Sequence, residues 1–292
     1  MTTTTTNDGS PLGLAAGSGD LPRQLIASCR QVGQPIYVIA LKGHCEPETV
    51  RNVDHAWVRL GAIGQMQRAI SQSGLNRLCM AGKVKKPSLL TLLPDWEMMK
   101  FILRFGFRSL GDNALLEAVR QRLAEEGVQL VGAHEIIADL LIPSGPLTAL
   151  KPDSSAQADI AVGLIAAQQI GRADIGQAVI VRGGTVIARE GVDGTDAMLD
   201  RVRRETVGRS IPSGVLVKIK KPDQDQRLDP PVIGVQTLER AAEAGLAGIA
   251  VEARGTLVAD RKAVEKAAER LGLFVVGVPV TVAASGSDAA PG

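Results

Sequence analysis

The chain has 292 residues, of which 45% are hydrophobic and 22% are charged, and its net charge at pH 7 is +2. This length is typical of two domains, and the hydrophobic share is sufficient for ordinary cores. The near-neutral charge argues against a nucleic-acid-binding protein, which needs a clustered basic face. The basic runs at 83–86 and 218–221 are too short to change this expectation.

The cysteines and the two ends of the chain indicate a soluble protein of a reducing compartment. Three cysteines occur without CxxC or Cys/His ligand spacing, so we expect no zinc site and a cytoplasmic location. The threonine-rich start lacks the basic and apolar parts of a signal peptide. The longest uncharged run, 271–287, is interrupted by glycine and proline and is too short to cross a membrane.

The first half of the chain alternates apolar strands with helices, after a tail at 1–10 that we expect to be disordered. Strands are predicted at 12–16, 36–41, 56–60, 77–81 and 128–131, and helices at 21–32, 64–73, 96–104, 113–126 and 134–141. Apolar strands joined by helices are typical of a parallel sheet that is covered on both faces. We therefore predict an N-terminal, nucleotide-binding-like α/β domain at 11–142, with a mostly parallel, Rossmann-like sheet.

The second half is predicted to be a mixed α/β domain at 158–281, joined by a linker at 143–157 and followed by a tail at 282–292. The linker is rich in proline and serine and has no periodicity. Gly183-Gly184 lies between two β-rich runs and predicts an antiparallel hairpin. Strands are expected at 177–182, 185–190, 214–220, 248–252 and 273–278, and helices at 160–170, 196–204, 235–244 and 261–272.

The first candidate site is the segment Gly17-Ser18-Gly19-Asp20, directly after the first predicted strand. Glycines at a strand-to-helix turn let backbone amides approach a phosphate at a helix N-terminus. Pro22 stands where the third glycine of a GxGxxG motif would be, so no dinucleotide cofactor is indicated. The alternative is a simple tight turn in which Asp20 caps the helix.

Two further segments place polar residues after predicted strands. Gly82 and Lys83 follow the fourth strand, where α/β folds bind ligands, although short basic runs are more often exposed loops. The segment Glu190–Asp196 follows the hairpin and contains Asp193, Gly194 and Thr195. Asp193 or Thr195 would suffice to cap the next helix, which leaves the other carboxylates of the segment as weak indications of a site.

The most informative segment is 218–229, where lysines, aspartates and an arginine run from a strand end into a proline-constrained loop. Asp223 and Asp225 are two residues apart, so in an extended chain both side chains face one side. Carboxylates beside lysine and arginine are typical of a magnesium-bound, phosphate-handling site. A solvated charged loop is the alternative.

The segment Trp96–Phe107 holds most of the aromatic residues of a chain that is only 2% aromatic. Such a stripe is most often part of a core. An amphipathic, aromatic-rich helix can also line an acyl-chain groove or touch a membrane surface. The three histidines are isolated from any nucleophile motif, and we expect them to be structural or exposed.

Taken together, these segments resemble one family, the UDP-2,3-diacylglucosamine pyrophosphatases of the lipid A pathway that are unrelated to the calcineurin-like metallophosphatases. The matching stretches lie in the family's order at 13–22, 82–87, 190–196, 218–229 and 244–253. The resemblance implies hydrolysis to UMP and 2,3-diacylglucosamine 1-phosphate, with water attacking the sugar-side phosphorus. It also implies dependence on Mg²⁺ and a peripheral location at the cytoplasmic face of the inner membrane of a Gram-negative bacterium. A homodimer is left open.

On this interpretation the pyrophosphate charge is neutralised by lysines and Mg²⁺, and a carboxylate orients or activates water. Asp225 is the expected key carboxylate, with Lys221 as a second catalytic residue and Asp223 as a second metal ligand. The other possible helper carboxylates are Glu190, Asp193 and Asp196. The other expected substrate-binding residues are Gly17, Gly19, Asp20, Gly82, Lys83, Gly194, Thr195, Asp196, Lys218 and Gln224. The rival functions are a non-catalytic nucleotide-sugar-binding protein and a sugar-nucleotide transferase.

Overall fold

The computed structural model describes residues 10–84, 112–205, 213–222 and 224–280. These residues form two compact units. The first unit contains the described residues up to Leu141, together with those of Asp223–Val232 and Leu257–Arg261. The second contains the rest, so the chain passes between the units several times rather than once. The amino-acid pattern around 143–157 predicts only the first of these passages.

The first unit is built on a sheet of five parallel strands in the order β3-β2-β1-β4-β5. The strands are β1 Leu12–Ala16, β2 Ile36–Leu41, β3 His55–Val58, β4 Arg77–Ala81 and β5 Gln129–Val131. The helices are α1 Asp20–Gln31, α2 Pro47–Val50, α3 Ile63–Gln72, α4 Asp112–Glu125 and α5 Ala133–Ile136, followed by a 3₁₀ turn at Ala138–Leu140. The predicted parallel, Rossmann-like sheet is confirmed.

Both faces of this sheet are covered, which explains why its central strands are apolar at successive positions. Leu14 and Val38 pack with Leu25 of α1 on one face. Ala15 and Ile39 pack on the other face with a second cluster of buried aliphatic residues. The three cysteines are free and buried, as expected of small apolar side chains. Burial raises the pKa of the Cys29 thiol to about 11 and that of the Cys79 thiol to about 12.

The second unit is built on a mixed sheet in the order β6-β13-β11-β9-β7-β8. Its elements are β6 Gly145–Pro146, α6 Ser154–Arg172, β7 Ala178–Arg182, β8 Thr185–Arg189, α7 Gly194–Glu205, β9 Val215–Lys218, α8 Val235–Glu243, β11 Gly248–Glu252, α9 Arg261–Leu271 and β13 Phe274–Val278. Two short strands, β10 Val232–Ile233 and β12 Leu257–Val258, form a separate two-stranded sheet, in which Val232, Leu257 and Val258 are residues of the first unit. The predicted mixed α/β architecture is confirmed.

The hairpin between β7 and β8 turns at Gly183-Gly184, as predicted, and both glycines have positive φ, of 58° and 74°. Asp159 on α6 is 3% exposed, and its carboxylate accepts hydrogen bonds from both glycine amides at 3.2 and 2.6 Å. A buried carboxylate thus fixes the turn, because its two oxygens satisfy two backbone donors. The tight backbone of the hairpin therefore depends on a side chain from a distant helix.

The stretch 143–157 differs from the structureless connection that its composition predicts. Gly145 and Pro146 form β6, which pairs antiparallel with β13. Helix α6 begins at Ser154 rather than at 160, because the Asp153 carboxylate accepts from the Ala156 amide at 2.8 Å and caps the helix. Backbone pairing over two residues leaves no periodic pattern in a sequence, so such a strand escapes prediction.

In the described part of the chain, no helix is long and apolar enough to cross a membrane.

Candidate active site

The glycine turn after β1 and the Gly82-Lys83 turn after β4 lie side by side. The Gly17 amide donates to the Ala81 carbonyl at 2.8 Å, and Ser18 and Lys83 exchange two backbone hydrogen bonds at 2.9 and 2.8 Å. Strand order changes direction between β1 and β4, so both turns lie at the topological switch point of the sheet. In folds of this class the carboxyl ends of the strands bind ligands at this place.

The contact between these turns requires glycine on both sides. A Cβ on Gly17 would lie 2.6 Å from the Lys83 carbonyl oxygen, and one on Gly82 would lie 2.7 Å from the Gly17 carbonyl carbon. Gly82 also has a φ of +98°, which favours glycine. The two candidate segments that sequence patterns treat separately are therefore one structural feature.

Gly19, not Asp20, is the N-cap of α1, so the alternative in which Asp20 caps the helix is wrong. Asp20 is the first helical residue, and its carboxylate pairs with Arg23 at 2.5 Å. The Gly19 amide donates instead to Oε1 of Glu46 at 3.2 Å. The other oxygen of Glu46 is buried and has no hydrogen-bond partner among the described residues. Sequence patterns missed Glu46, although a carboxylate just beyond the second strand is a known feature of nucleotide-binding α/β folds.

Asp225 belongs to the first unit, and its carboxylate is held by Arg227. The Arg227 guanidinium donates to both carboxylate oxygens, with Nε–Oδ1 3.0 Å and Nη2–Oδ2 2.7 Å, and the Arg227 amide donates to Oδ1 at 2.9 Å. These bonds, with a smaller effect of the Arg120 charge, lower the pKa of Asp225 even though partial burial opposes them. Asp225 is therefore ionised at neutral pH.

The residues around Asp225 form a short turn. The amides of Leu228 and Asp229 donate to the Asp225 carbonyl at 3.0 and 3.3 Å. The Gln224 side-chain amide donates to the backbone carbonyl and the carboxylate of Asp229. Asp223, the other predicted metal ligand, lies outside the described residues, as does the Trp96–Phe107 segment. Within the described ranges, no group of three or more His, Cys, Asp or Glu side chains is placed to hold a metal ion.

The second unit brings polar residues to one edge of its own sheet. Strands β8, β9 and β11 run in the same direction, since β7 is antiparallel to both β8 and β9. Their carboxyl ends carry Glu190, Lys218 and Glu252. Lys218 is paired with Ala178 at the start of β7 and with Val251 on β11, so it occupies the middle of this edge.

Glu190, Thr195 and Lys218 form a buried hydrogen-bonded cluster at this edge, and each is at most 8% exposed. The Thr195 hydroxyl donates to Oε1 of Glu190 at 2.7 Å and accepts from Nζ of Lys218 at 3.1 Å. The other oxygen of Glu190 accepts the Gln177 amide at 2.7 Å. Because the hydroxyl has one proton, its bond to Glu190 turns a lone pair towards the lysine. The cluster joins two predicted binding residues, Thr195 and Lys218, directly, and it adds Glu190, which was predicted only as a helper.

The other predicted residues of this unit are placed differently. Lys221 forms an ion pair with Asp174 at 2.7 Å. Asp196 lies 3.9 Å from the guanidinium of Arg240, which makes two closer bonds of 2.8 Å to Asp200. Gly194 begins α7 with a φ of +84°. Lys218 and Lys221 belong to the second unit and Asp225 to the first, so the charged segment is shared between the units.

The first unit is a doubly wound parallel sheet with a glycine-lined switch point, and the second is a mixed α/β unit with a buried lysine at its strand edge. The first of these architectures is typical of α/β proteins that bind nucleotide ligands. Family models of the LpxI N-terminal domain and the LpxI C-terminal domain match residues 11–140 and 143–276. The UDP-2,3-diacylglucosamine pyrophosphatase LpxI of Caulobacter vibrioides is 42% identical over 275 residues, which cover 91% of this chain and 97% of that protein. The chain belongs to the LpxI family, and the resemblance drawn from its motifs is confirmed.

Proposed function

We propose that this protein hydrolyses the pyrophosphate bond of UDP-2,3-diacylglucosamine and releases UMP and 2,3-diacylglucosamine 1-phosphate. The observation that carries this proposal is the 42% identity to a UDP-2,3-diacylglucosamine pyrophosphatase over nearly the full length of both chains. Two matched family domains in the same order support it. The protein is accordingly a hydrolase that acts on a glycolipid nucleotide at the inner face of the inner membrane.

In the proposed mechanism the ionised carboxylate of Asp225 is the central group. The hydrogen bonds of Arg227 lower the pKa of Asp225, so this carboxylate is a weak base. It is better suited to bind a cation or to orient the attacking water than to remove a proton completely. Lys221 and the Lys218–Thr195 pair supply positive charge and donors for the phosphate oxygens. Gly17, Gly19, Asp20, Gly82 and Lys83 at the switch point are assigned to the nucleotide.

We also propose that the reaction depends on Mg²⁺. The donor chemistry fits, since carboxylate oxygens are the ligands that hard cations prefer, and Asp223 and Asp225 would hold the ion. When bound, Mg²⁺ would neutralise charge on the pyrophosphate oxygens. In the structure both oxygens of Asp225 accept from Arg227, so ligation by Asp225 requires Arg227 to release at least one of them.

The test is the release of UMP from purified UDP-2,3-diacylglucosamine, measured in H₂¹⁸O. Hydrolysis at the sugar-side phosphorus places ¹⁸O in 2,3-diacylglucosamine 1-phosphate and none in UMP. Asp225→Asn should lower kcat by ~10²–10⁴-fold while substrate binding persists. Asp229→Asn, a change of an exposed carboxylate in the same turn, is the matched control and should retain activity. Failure of the wild-type protein to release UMP would contradict the proposal, and release only with an added acceptor would indicate a transferase.

A further inference from the structure

Two exposed aliphatic side chains lie on loops at the edge of the second unit that carries Glu190, Thr195 and Lys218. Val192, in the loop after β8, is 85% exposed, and Ile175, in the loop after α6, is 53% exposed. Single exposed aliphatic residues are common on protein surfaces. Val192 and Ile175 lie on neighbouring loops, and exposed apolar side chains that are grouped on a surface can mark an interaction site.

The backbone contacts show that these two loops run side by side. A Cβ on Gly176 would lie 2.6 Å from the carbonyl oxygen of Glu190, and the Gln177 amide donates to the Glu190 carboxylate at 2.7 Å. Ile175 directly precedes Gly176, and Val192 follows Glu190 by two residues. The two apolar side chains therefore project from adjacent segments.

Each apolar residue is preceded by an arginine at the same spacing. Arg172 comes three residues before Ile175, and Arg189 comes three residues before Val192; both arginines are exposed. Neither guanidinium forms an ion pair with a described residue, whereas the nearby carboxylates of Asp174 and Asp193 are bound by Lys221 and Arg201. Among the described residues, the local charge that no ion pair neutralises is therefore positive.

We propose that the Ile175 and Val192 loops, with Arg172 and Arg189, form a docking surface for an anionic lipid bilayer. The proposal rests on the proposed function, because a diacylated substrate has to be taken from a lipid surface. Apolar side chains beside arginines that form no ion pair with a described residue fit the boundary between acyl chains and anionic headgroups. Docking here brings the edge that carries Thr195 and Lys218 to the headgroup layer, where the substrate's phosphates lie.

The first experiment measures co-sedimentation of the full-length protein with vesicles of phosphatidylethanolamine and phosphatidylglycerol. The double variant Ile175→Ser with Val192→Ser should bind at least about tenfold more weakly, since two apolar side chains leave the acyl boundary. The matched control is Val32→Ser, because Val32 is 73% exposed but belongs to the first unit. Arg172→Gln and Arg189→Gln should each lower the affinity about fivefold at low salt and have less effect at high salt.

The second experiment labels a single site with an environment-sensitive fluorophore. The native cysteines are buried, so a cysteine placed by Val192→Cys or Val32→Cys is labelled selectively. The label at 192 should shift to the blue when the anionic vesicles are added, and the label at 32 should not. Because both positions are exposed, neither change should unfold the protein, and equal melting temperatures verify this.

Activity separates this inference from the proposed function. The double variant should hydrolyse UDP-2,3-diacylglucosamine in detergent micelles at the wild-type rate and hydrolyse the same substrate in vesicles at least several-fold more slowly. No UMP release in either form by the wild-type protein would overturn the proposed function, while vesicle binding and the label remain measurable. Vesicle affinity and label spectra that are equal for the wild-type, the double variant and the control would overturn the docking surface. A blue shift at 192 without lipid, on dimerisation, would assign the surface to a second copy.

Discussion

The carboxylate of Asp225 and the guanidinium of Arg227 bind each other through both carboxylate oxygens, although the two residues are only two positions apart. This pairing makes Arg227 the main cause of the lowered pKa of Asp225. It also means that Asp225, the expected catalytic carboxylate, has a cationic partner that a metal ion would have to displace.

Replacing Arg227 should change the pH dependence of hydrolysis. Arg227→Met removes the side-chain hydrogen bonds that lower the pKa of Asp225, so this pKa rises towards its ordinary value. If the ionised form of Asp225 is required, the acid limb of the kcat/KM profile moves to higher pH. At pH values above the acid limb, kcat/KM should change less than at pH values below it. An acid limb in the same position as in the wild-type protein would show that the ionisation of Asp225 does not control this limb.

The same variant tests the metal proposal. EDTA should abolish UMP release and Mg²⁺ should restore it, because oxygen ligands favour a hard cation. In Arg227→Met no guanidinium competes for the Asp225 oxygens, so half-maximal activity should need less Mg²⁺ than in the wild-type protein. Full activity in a chelated, metal-free assay would exclude the metal, and restoration by Zn²⁺ alone would count against carboxylate ligands.

Thr195 is predicted to orient Lys218 through its hydroxyl. Thr195→Val leaves the Glu190 oxygen and the Lys218 ammonium without this hydroxyl in a buried site, which should lower the free energy of unfolding by ~1–3 kcal/mol. The affinity for UMP should fall several-fold more than the affinity for uridine, because only UMP presents a phosphate to the lysine. Both ligands are measured by calorimetry.

Two other substitutions distinguish the orientation of Lys218 by the Thr195 hydroxyl from the packing of the Thr195 side chain. Thr195→Ser keeps the hydroxyl and should restore most of the discrimination between UMP and uridine. Thr185→Val changes an exposed threonine on β8 and should leave both affinities unchanged. Equal losses for UMP and uridine in Thr195→Val would assign the cluster to stability alone.

The layout of the first unit could be predicted because local sequence patterns indicate its strands and helices. Apolar strands between amphipathic helices indicate a parallel sheet, and in the second unit Gly-Gly between β-rich runs indicates the hairpin. The contact between Gly17 and Gly82 depends on strand order, which no local pattern contains. The strands β6, β10 and β12 are two residues long, so they have no periodicity to detect.

The carboxylates that sequence patterns missed have hydrogen-bond partners that are distant in the chain. Glu46 reaches a glycine amide 27 positions away, and Asp159 reaches the hairpin 24 positions away. A lone acidic residue looks solvated in the sequence, and only the fold shows that its oxygens face backbone donors. The sharing of segment 218–229 between two units was hidden for the same reason, since its charged residues form one continuous run.

The turns at Gly17 and Gly82 approach each other closely, and substitution of Gly17 should therefore be destabilising through steric contact. This effect can be distinguished from that of backbone strain. Gly17→Ala places a Cβ 2.6 Å from the Lys83 carbonyl oxygen and 3.0 Å from the Gly82 carbonyl carbon, and both are backbone atoms that cannot rotate away. The turns would have to separate, which should lower the free energy of unfolding by ~1–3 kcal/mol and weaken nucleotide binding. Gly33→Ala is the comparison, because Gly33 has a φ of +68° and, apart from its chain neighbours, no atom lies within 4 Å of the place a Cβ would take. Only backbone strain of ~1–2 kcal/mol therefore applies to it.

Urea unfolding and UMP titration of both variants give the measurement. Loss of UMP affinity in Gly17→Ala with wild-type affinity in Gly33→Ala is the expected result, and equal affinities in both would remove the switch point from the nucleotide site.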